Sequence, residues 1–230
     1  MPATKSRSMS HARRGSTSPA FSAEAMVRFI RFADLPAVPW RNGGGVTREV
    51  AARHDAGAGS DFLWRLSIAT VNADGPFSSF LGIDRTIAVL AGRGIALQLP
   101  DRSISVTDDS EPFSFAGEVP VHASVMEGET TDLNAMTRRG WFTHTLRRLP
   151  SDGSLSIDGV ADETVLVFAG TTAVEGLDEA LEAGRFDALV GIAPGERITV
   201  TPEPGAPTYL IEFIRSEGYG KTRKRAEKPL

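Results

Sequence analysis

The stretch Phe77-Ser78-Ser79-Phe80-Leu81-Gly82-Ile83-Asp84-Arg85-Thr86-Ile87-Ala88-Val89-Leu90-Ala91-Gly92 decides the fold. Its second half is a short apolar run from Thr86 to Leu90, which reads as a buried strand. Gly92-Arg93-Gly94 then makes a turn. Beyond it Ile95, Leu97 and Leu99 alternate with Ala96 and Gln98, and Pro100-Asp101 and Asp108-Asp109 punctuate the stretch around Ile104 and Val106. Upstream, Trp64, Leu66 and Ile68 share one face, with Arg65 and Ser67 on the other. Downstream, Val119, Val121, Ala123 and Val125 alternate with Pro120, His122, Ser124 and Met126. This is the period of two that strands require.

A turn-rich boundary follows at Leu149-Pro150-Ser151-Asp152-Gly153, and further strands are expected at 165–168, 198–200 and 209–214. One short helix is expected at 177–183, with Leu177 and Leu181 one turn apart and Gly184 as its stop. Leu90-Ala91-Gly92 echoes in Phe168-Ala169-Gly170, which points to two similar halves. Strands at this spacing with almost no helix give an all-β protein of sandwich or barrel type. The expected division is a disordered leader at 1–26, a first barrel at 27–149, a second at 150–215 and a basic disordered tail at 216–230. Met26 is a candidate start.

A chain of 230 residues can bury a sizeable core without covalent staples. It has no cysteine, which excludes disulfides, thiolate metal sites and a cysteine nucleophile. That fits a reducing compartment, and the cytoplasm is the expected location. The formal charge of −4 argues against a nucleic-acid-binding surface. Basic residues cluster only at the ends, at Lys5, Arg7, Arg13 and Arg14, and at Lys221, Arg223, Lys224, Arg225 and Lys228. No apolar run approaches the roughly 20 residues of a membrane helix. A homodimer is compatible with this composition.

The same opening stretch carries the spacing of a known metal-site motif. Metal-binding cupins place His-x-His, then three or four residues, Glu, six residues and Gly, so that two imidazoles and a carboxylate meet one ion. Here those positions hold Ser78, Phe80, Arg85 and Gly92. The second cupin motif can be laid on Phe115-Ala116-Gly117-Glu118-Val119-Pro120, and again on Glu203-Pro204-Gly205-Ala206-Pro207-Thr208. That puts Pro120 and Thr208 where a histidine would sit. The frame is similar to a cupin and its ligands are absent, so no metal and no cofactor are expected. The histidines agree: His11, His54, His122 and His144 show no ligand spacing. His122 reads as a packed or hydrogen-bonded strand residue.

Arg85 opens its strand on the same face as Ile87 and Val89. An arginine pointing into a barrel is unfavourable unless paired. Its planar fork suits a carboxylate. An internal salt bridge to Asp84, Asp132 or Glu118 and an external anion are equally good partners. Arg65 reads first as an outward, solvated residue and second as another anion contact, beside Ser67. Pro39-Trp40-Arg41-Asn42-Gly43-Gly44-Gly45 lacks the Gly-Lys-Ser/Thr ending of a phosphate loop and leads into a strand. Trp40 and Asn42 are expected at a pocket mouth. Asp132 and Asn134 are either polar strand residues or ligand contacts. A Ser67, His122 and Asp132 triad has no nucleophile elbow to support it.

Taken together, Pro39-Trp40-Arg41-Asn42-Gly43-Gly44-Gly45, Trp64-Arg65-Leu66-Ser67-Ile68-Ala69, Asp74-Gly75-Pro76-Phe77-Ser78, Gly82-Ile83-Asp84-Arg85 and Asp132-Leu133-Asn134 resemble the HutD/Ves family of bacterial cupin-like proteins. The similarity runs from about residue 29 to 213 and leaves out the leader and the tail. It implies a bicupin, two barrels in one chain, without a catalytic metal. It further implies binding of a small carboxylate from histidine breakdown, such as formylglutamate, and restraint of histidine utilisation. Arg85 would be the carboxylate-binding residue, with Asn42, Arg65 and Asn134 as neighbours. The rival expectation is a metal-free isomerase or hydrolase using His122 and Asp132 as acid and base. A weaker third is a transcriptional partner acting through the basic tail.

Overall fold

The computed structural model describes residues 27–54 and 62–217. The expected leader, the glycine-containing segment after His54 and the basic cluster of the tail lie outside these residues. In chain order the strands are β1 (Arg28–Ile30), β2 (Val38–Pro39), β3 (Gly45–His54), β4 (Phe62–Val71), β5 (Gly75–Pro76), β6 (Ile83–Ala91), β7 (Ile95–Gln98), β8 (Ser103–Val106), β9 (Phe113–Ala116) and β10 (His122–Val125). They continue as β11 (Thr130–Arg138), β12 (Phe142–Arg148), β13 (Leu155–Asp158), β14 (Glu163–Phe168), β15 (Thr172–Glu175), β16 (Leu181–Ala183), β17 (Ala188–Ile192), β18 (Arg197–Pro202) and β19 (Thr208–Arg215). A single 3-10 turn at Phe32–Asp34 is the one helical element among the described residues. No described helix is long and apolar enough to cross a membrane.

The strands form four sheets, ordered β2-β3-β4-β11-β6-β9 and β5-β10-β7-β8 in the first half, and β1-β17-β14-β19-β12 and β13-β18-β15-β16 in the second. Each half is a two-sheet, cupin-like barrel, and the chain is a bicupin. Alternation along the central strands explains how the halves join. On β6, Ile87 and Val89 point into the first barrel's core while Ala88 and Leu90 point the other way. On β14, Leu166 and Phe168 fill the second barrel and Val165 and Val167 point out. The outward faces of the two large sheets meet, and Trp64, Leu66 and Ile68 join Tyr209, Ile211 and Phe213 in one shared core. Sheets covered on both faces need apolar residues at nearly every position, which is why β6 and β14 read as continuous runs.

Two contacts fasten this interface. Trp64 stacks on Phe213 with ring centroids 4.3 Å apart, worth about 0.5–1.5 kcal/mol beyond the area it buries. The Tyr209 hydroxyl donates to the Val89 carbonyl at 2.7 Å. Val89 lies beside a register shift in the β6–β11 ladder, and a β-bulge releases backbone groups from regular pairing. His144 also sits here. Its ring nitrogens lie 2.8 Å from the Thr86 and Thr137 hydroxyls, and burial pushes its pKa down to about 4.

Two sequence expectations are corrected by this architecture. Residues 177–183 are not helical: Leu181–Ala183 is a strand paired with β15. Leu181 is half-buried and Ala183 buried with an exposed residue between them, so the period is two. The expected division at 149/150 falls between β12 and β13, yet β1 and β12 are hydrogen-bonded into the second half's larger sheet. The chain exchanges strands across the division.

Candidate functional site

The interior of the first barrel is apolar at one end and polar at the other. Ile87, Val89, Ile95, Leu97 and Val106 fill the apolar end. At the other end is a cavity of about 490 Å³ whose lining includes Trp40, Asn42, Arg65, Ser67, Arg85, Asp132 and Asn134. These seven side chains, each weighed in the sequence as a ligand contact, therefore share one space. They do so because β4, β6 and β11 turn one parity toward the shared core and the other toward the cavity. Arg65 and Ser67 alternate with Trp64, Leu66 and Ile68, and Asp132 and Asn134 alternate with Leu133 and Ala135. Arg65, Met136 and Arg85 lie in one cross-strand row over β4, β11 and β6. The two arginines are thus two strand spacings apart, about 10 Å.

Arg65 is not the solvated residue expected. Its face is the cavity wall, and its Nε donates to Glu49 at 2.8 Å. Arg85 does not form the internal salt bridge that was its alternative. Asp84 and Glu118 are both taken by Arg139, at 2.6 and 2.7 Å. Asp132 lines the same sheet wall as Arg85, opposite Val89 on the neighbouring strand, and has no side-chain hydrogen bond or ion pair among the described residues, its carboxyl feeling burial and the charge of Arg85. The guanidinium of Arg85, 4% exposed, donates to the Ser78 carbonyl at 3.3 Å. Its Nε has no partner, and neither has the buried Asn134 Oδ1. Burial lowers the Arg85 pKa to about 10, against the attraction of Asp132, so it stays charged at neutral pH.

What holds an unpaired cation here is aromatic. The guanidinium carbon lies 5.0 Å from the Phe77 and Phe115 ring centres and 5.5 Å from that of Phe80. Desolvated contacts of this kind contribute up to about 2 kcal/mol each. Phe77 and Phe115 were not anticipated as site residues. Phe77 stands at the head of the opening stretch, where the first cupin motif's ligand positions fall on Ser78 and Phe80, and Phe115 heads the frame of the second motif. Ser78 and Phe80 now serve the arginine, one by its carbonyl and one by its ring. A metal does not fit this donor set, because Arg85 puts a fixed positive charge where a carboxylate ligand would stand. Among the described residues no group of His, Asp and Glu could hold a metal ion.

The hairpin between β2 and β3 forms the cavity mouth. Gly43 has φ +72°, a left-handed turn position that favours glycine. The Asn42 side chain accepts from Gly44 N at 3.1 Å. Gly45 lets Trp40 sit against the strand: a Cβ there would lie 2.5 Å from the Thr70 carbonyl. The indole N–H donates to Thr47 at 2.8 Å, which fixes the ring at the rim.

His122 is neither packed nor hydrogen-bonded: it is exposed on β10. It lines a separate groove with Gln98, Leu99 and Pro120 rather than the Arg85 cavity. The acid–base pair of His122 and Asp132, and the triad built on it, are not brought together. Thr208, the histidine position of the second barrel's motif, is fully buried with its hydroxyl unpartnered.

The HutD family model matches residues 32–204. A 21.2 kDa protein from the hutC 3′ region of Pseudomonas putida is 36% identical over 159 residues, covering 66% of this chain and 77% of that one. Protein Ves of Citrobacter koseri is 41% identical over 114 residues, 49% of this chain and 59% of Ves, so the chain spans little more than half of that relative. HutD from Pseudomonas fluorescens SBW25, whose structure was solved in a formate condition, superimposes with a TM-score of 0.70 at 30% identity, covering 83% of this chain and 99% of that chain. The family model spans well over half of the sequence, and the chain is a member of the HutD family.

Proposed function

We propose that the first-barrel cavity binds a small carboxylate without a metal, and that the protein couples this binding to control of histidine utilisation. The observation that carries the proposal is Arg85: a buried guanidinium with an unpartnered Nε, facing a cavity. Burying a charge is strongly unfavourable unless it is paired, and a guanidinium fork is complementary to a carboxylate. Trp40 and Asn42 stand at the mouth, Arg65 lines the wall with its Nε held by Glu49, and Ser67, Asp132 and Asn134 supply polar contacts. The place of a Pseudomonas putida relative beside hutC supports histidine breakdown as the source of the ligand.

The test is melting temperature against histidine, urocanate, formiminoglutamate, formylglutamate, glutamate and formate. A ligand at a hundred times its dissociation constant stabilises the fold by about 2.7 kcal/mol, or roughly 5–11 °C for a chain of this size. The expected result is a shift with at least one of these acids that disappears in Arg85→Ala. A shift that survives Arg85→Ala refutes the assignment of Arg85, and no shift with any acid detaches the protein from this pathway.

A further inference from the structure

One buried group in the cavity opposes a carboxylate for as long as it is ionised. Asp132 is 2% exposed and has no side-chain hydrogen bond among the described residues, so that burial and the charge of Arg85 alone act on its carboxyl. It repels the anion that Arg85 attracts.

The charged groups around it can be named element by element. From β6 comes Arg85. From β4 comes Arg65, whose charge is matched by Glu49 on β3. The mouth hairpin brings Arg41 at the exposed rim. The segment after β5 and the four-stranded sheet place no titratable side chain in the lining. Among the described residues the interior therefore holds one free cation and one free carboxylate, which balance while the cavity is without an anion. A bound carboxylate would leave one cation facing two anions away from water. That arrangement relaxes when one of the anions takes a proton.

We propose that the cavity takes up its carboxylate together with one proton from solvent, that Asp132 carries the proton, and that the neutral carboxyl donates its O–H to the bound anion beside Arg85. This rests on the cavity being a carboxylate site. Asp132 is then the residue that sets which acids are held. A plain anion is bound as anion plus proton. An acid with its own ammonium group neutralises the ionised Asp132 and needs no proton. Asn134 Oδ1, buried and unpartnered beside it, is an acceptor for a second donor on the ligand.

The experiment is calorimetric titration of the full chain with formate and with formylglutamate between pH 6 and pH 8. At pH 8 it is repeated in phosphate and in Tris, whose ionisation heats differ widely. Burial holds the Asp132 pKa at about 7 in the free protein, so uptake of one proton weakens binding about ten-fold from pH 6 to pH 8. The heats in the two buffers should differ by close to one proton's ionisation. In Asp132→Asn the affinity should be flat with pH and, at pH 8, tighter than in the unaltered protein. Should that variant not fold, the buffer dependence of the unaltered protein decides alone. Affinity constant from pH 6 to pH 8 with identical heats overturns proton uptake and leaves the carboxylate site standing. No binding of either probe at any pH overturns both.

Discussion

The folded protein holds two buried groups whose protonation pulls stability in opposite directions, and a drop from pH 7 to pH 5 separates them. His144 lies between the halves with its pKa lowered from 6.5 to about 4 by burial. A folded-state value below the unfolded one means that the unfolded chain gains the proton first. Stability is therefore lost as pH falls below 6.5, and over pH 7 to 5 the loss is about 2 kcal/mol. Asp132 has its pKa raised from 3.8 to about 7, by burial against the attraction of Arg85. Its contribution is fully present below 3.8 and is lost as pH rises through 7. Falling from pH 7 to pH 5 thus restores about 2 kcal/mol. Glu118, lowered by its hydrogen bonds to Arg139, responds only below the ordinary carboxylate range and stays outside this window. The unaltered protein should be nearly flat from pH 7 to pH 5. His144→Gln, which can keep the bonds to Thr86 and Thr137, should gain about 2 kcal/mol over the same drop, and Asp132→Asn should lose about 2 kcal/mol. Urea midpoints at pH 7, 6 and 5 read this directly, and in melting temperature each effect is roughly 4–8 °C. If both variants track the unaltered protein, the buried states of His144 and Asp132 are wrong.

Three further outcomes follow from single contacts. Gly45→Ala drives a methyl toward the Thr70 carbonyl and the Trp40 ring, so it should cost about 1–3 kcal/mol in urea unfolding and weaken carboxylate affinity by displacing the rim. Tyr209→Phe leaves the Val89 carbonyl without its donor, and the urea midpoint should fall by the equivalent of about 1–3 kcal/mol with an unchanged slope. His122→Ala should alter stability by less than about 0.5 kcal/mol and leave carboxylate titrations unchanged. A lost binding heat in that variant would move the site to the groove on β10.

The sequence made the cavity legible through parity. Arg85 shares a face with Ile87 and Val89, so an inward arginine is readable from the sequence, as is the polar face of Asp132 and Asn134. Direction was harder. Trp64, Leu66 and Ile68 look like an inner face and Arg65 like an outer one. In a two-barrel chain the apolar face lies between the halves, and the polar face turns into the cavity. The partner of Arg85 was equally hidden, because ion pairing of Asp84 and Glu118 to Arg139 is a contact over a long sequence separation. Strand exchange leaves no trace in a period of two, since β12 alternates identically whichever sheet receives it. Residues 177–183 offered only Leu177 and Leu181 for a helix, a spacing too short to distinguish from a turn followed by a three-residue strand.

The most direct test is a crystal structure of the protein with formylglutamate or formate at saturating concentration. The expected result is a carboxylate in the first barrel with oxygens about 2.7–2.9 Å from the Arg85 guanidinium, under the Trp40 rim and against Asp132. A ligand fully occupied in the groove of Gln98, Pro120 and His122, with the Arg85 cavity holding only water, would contradict it.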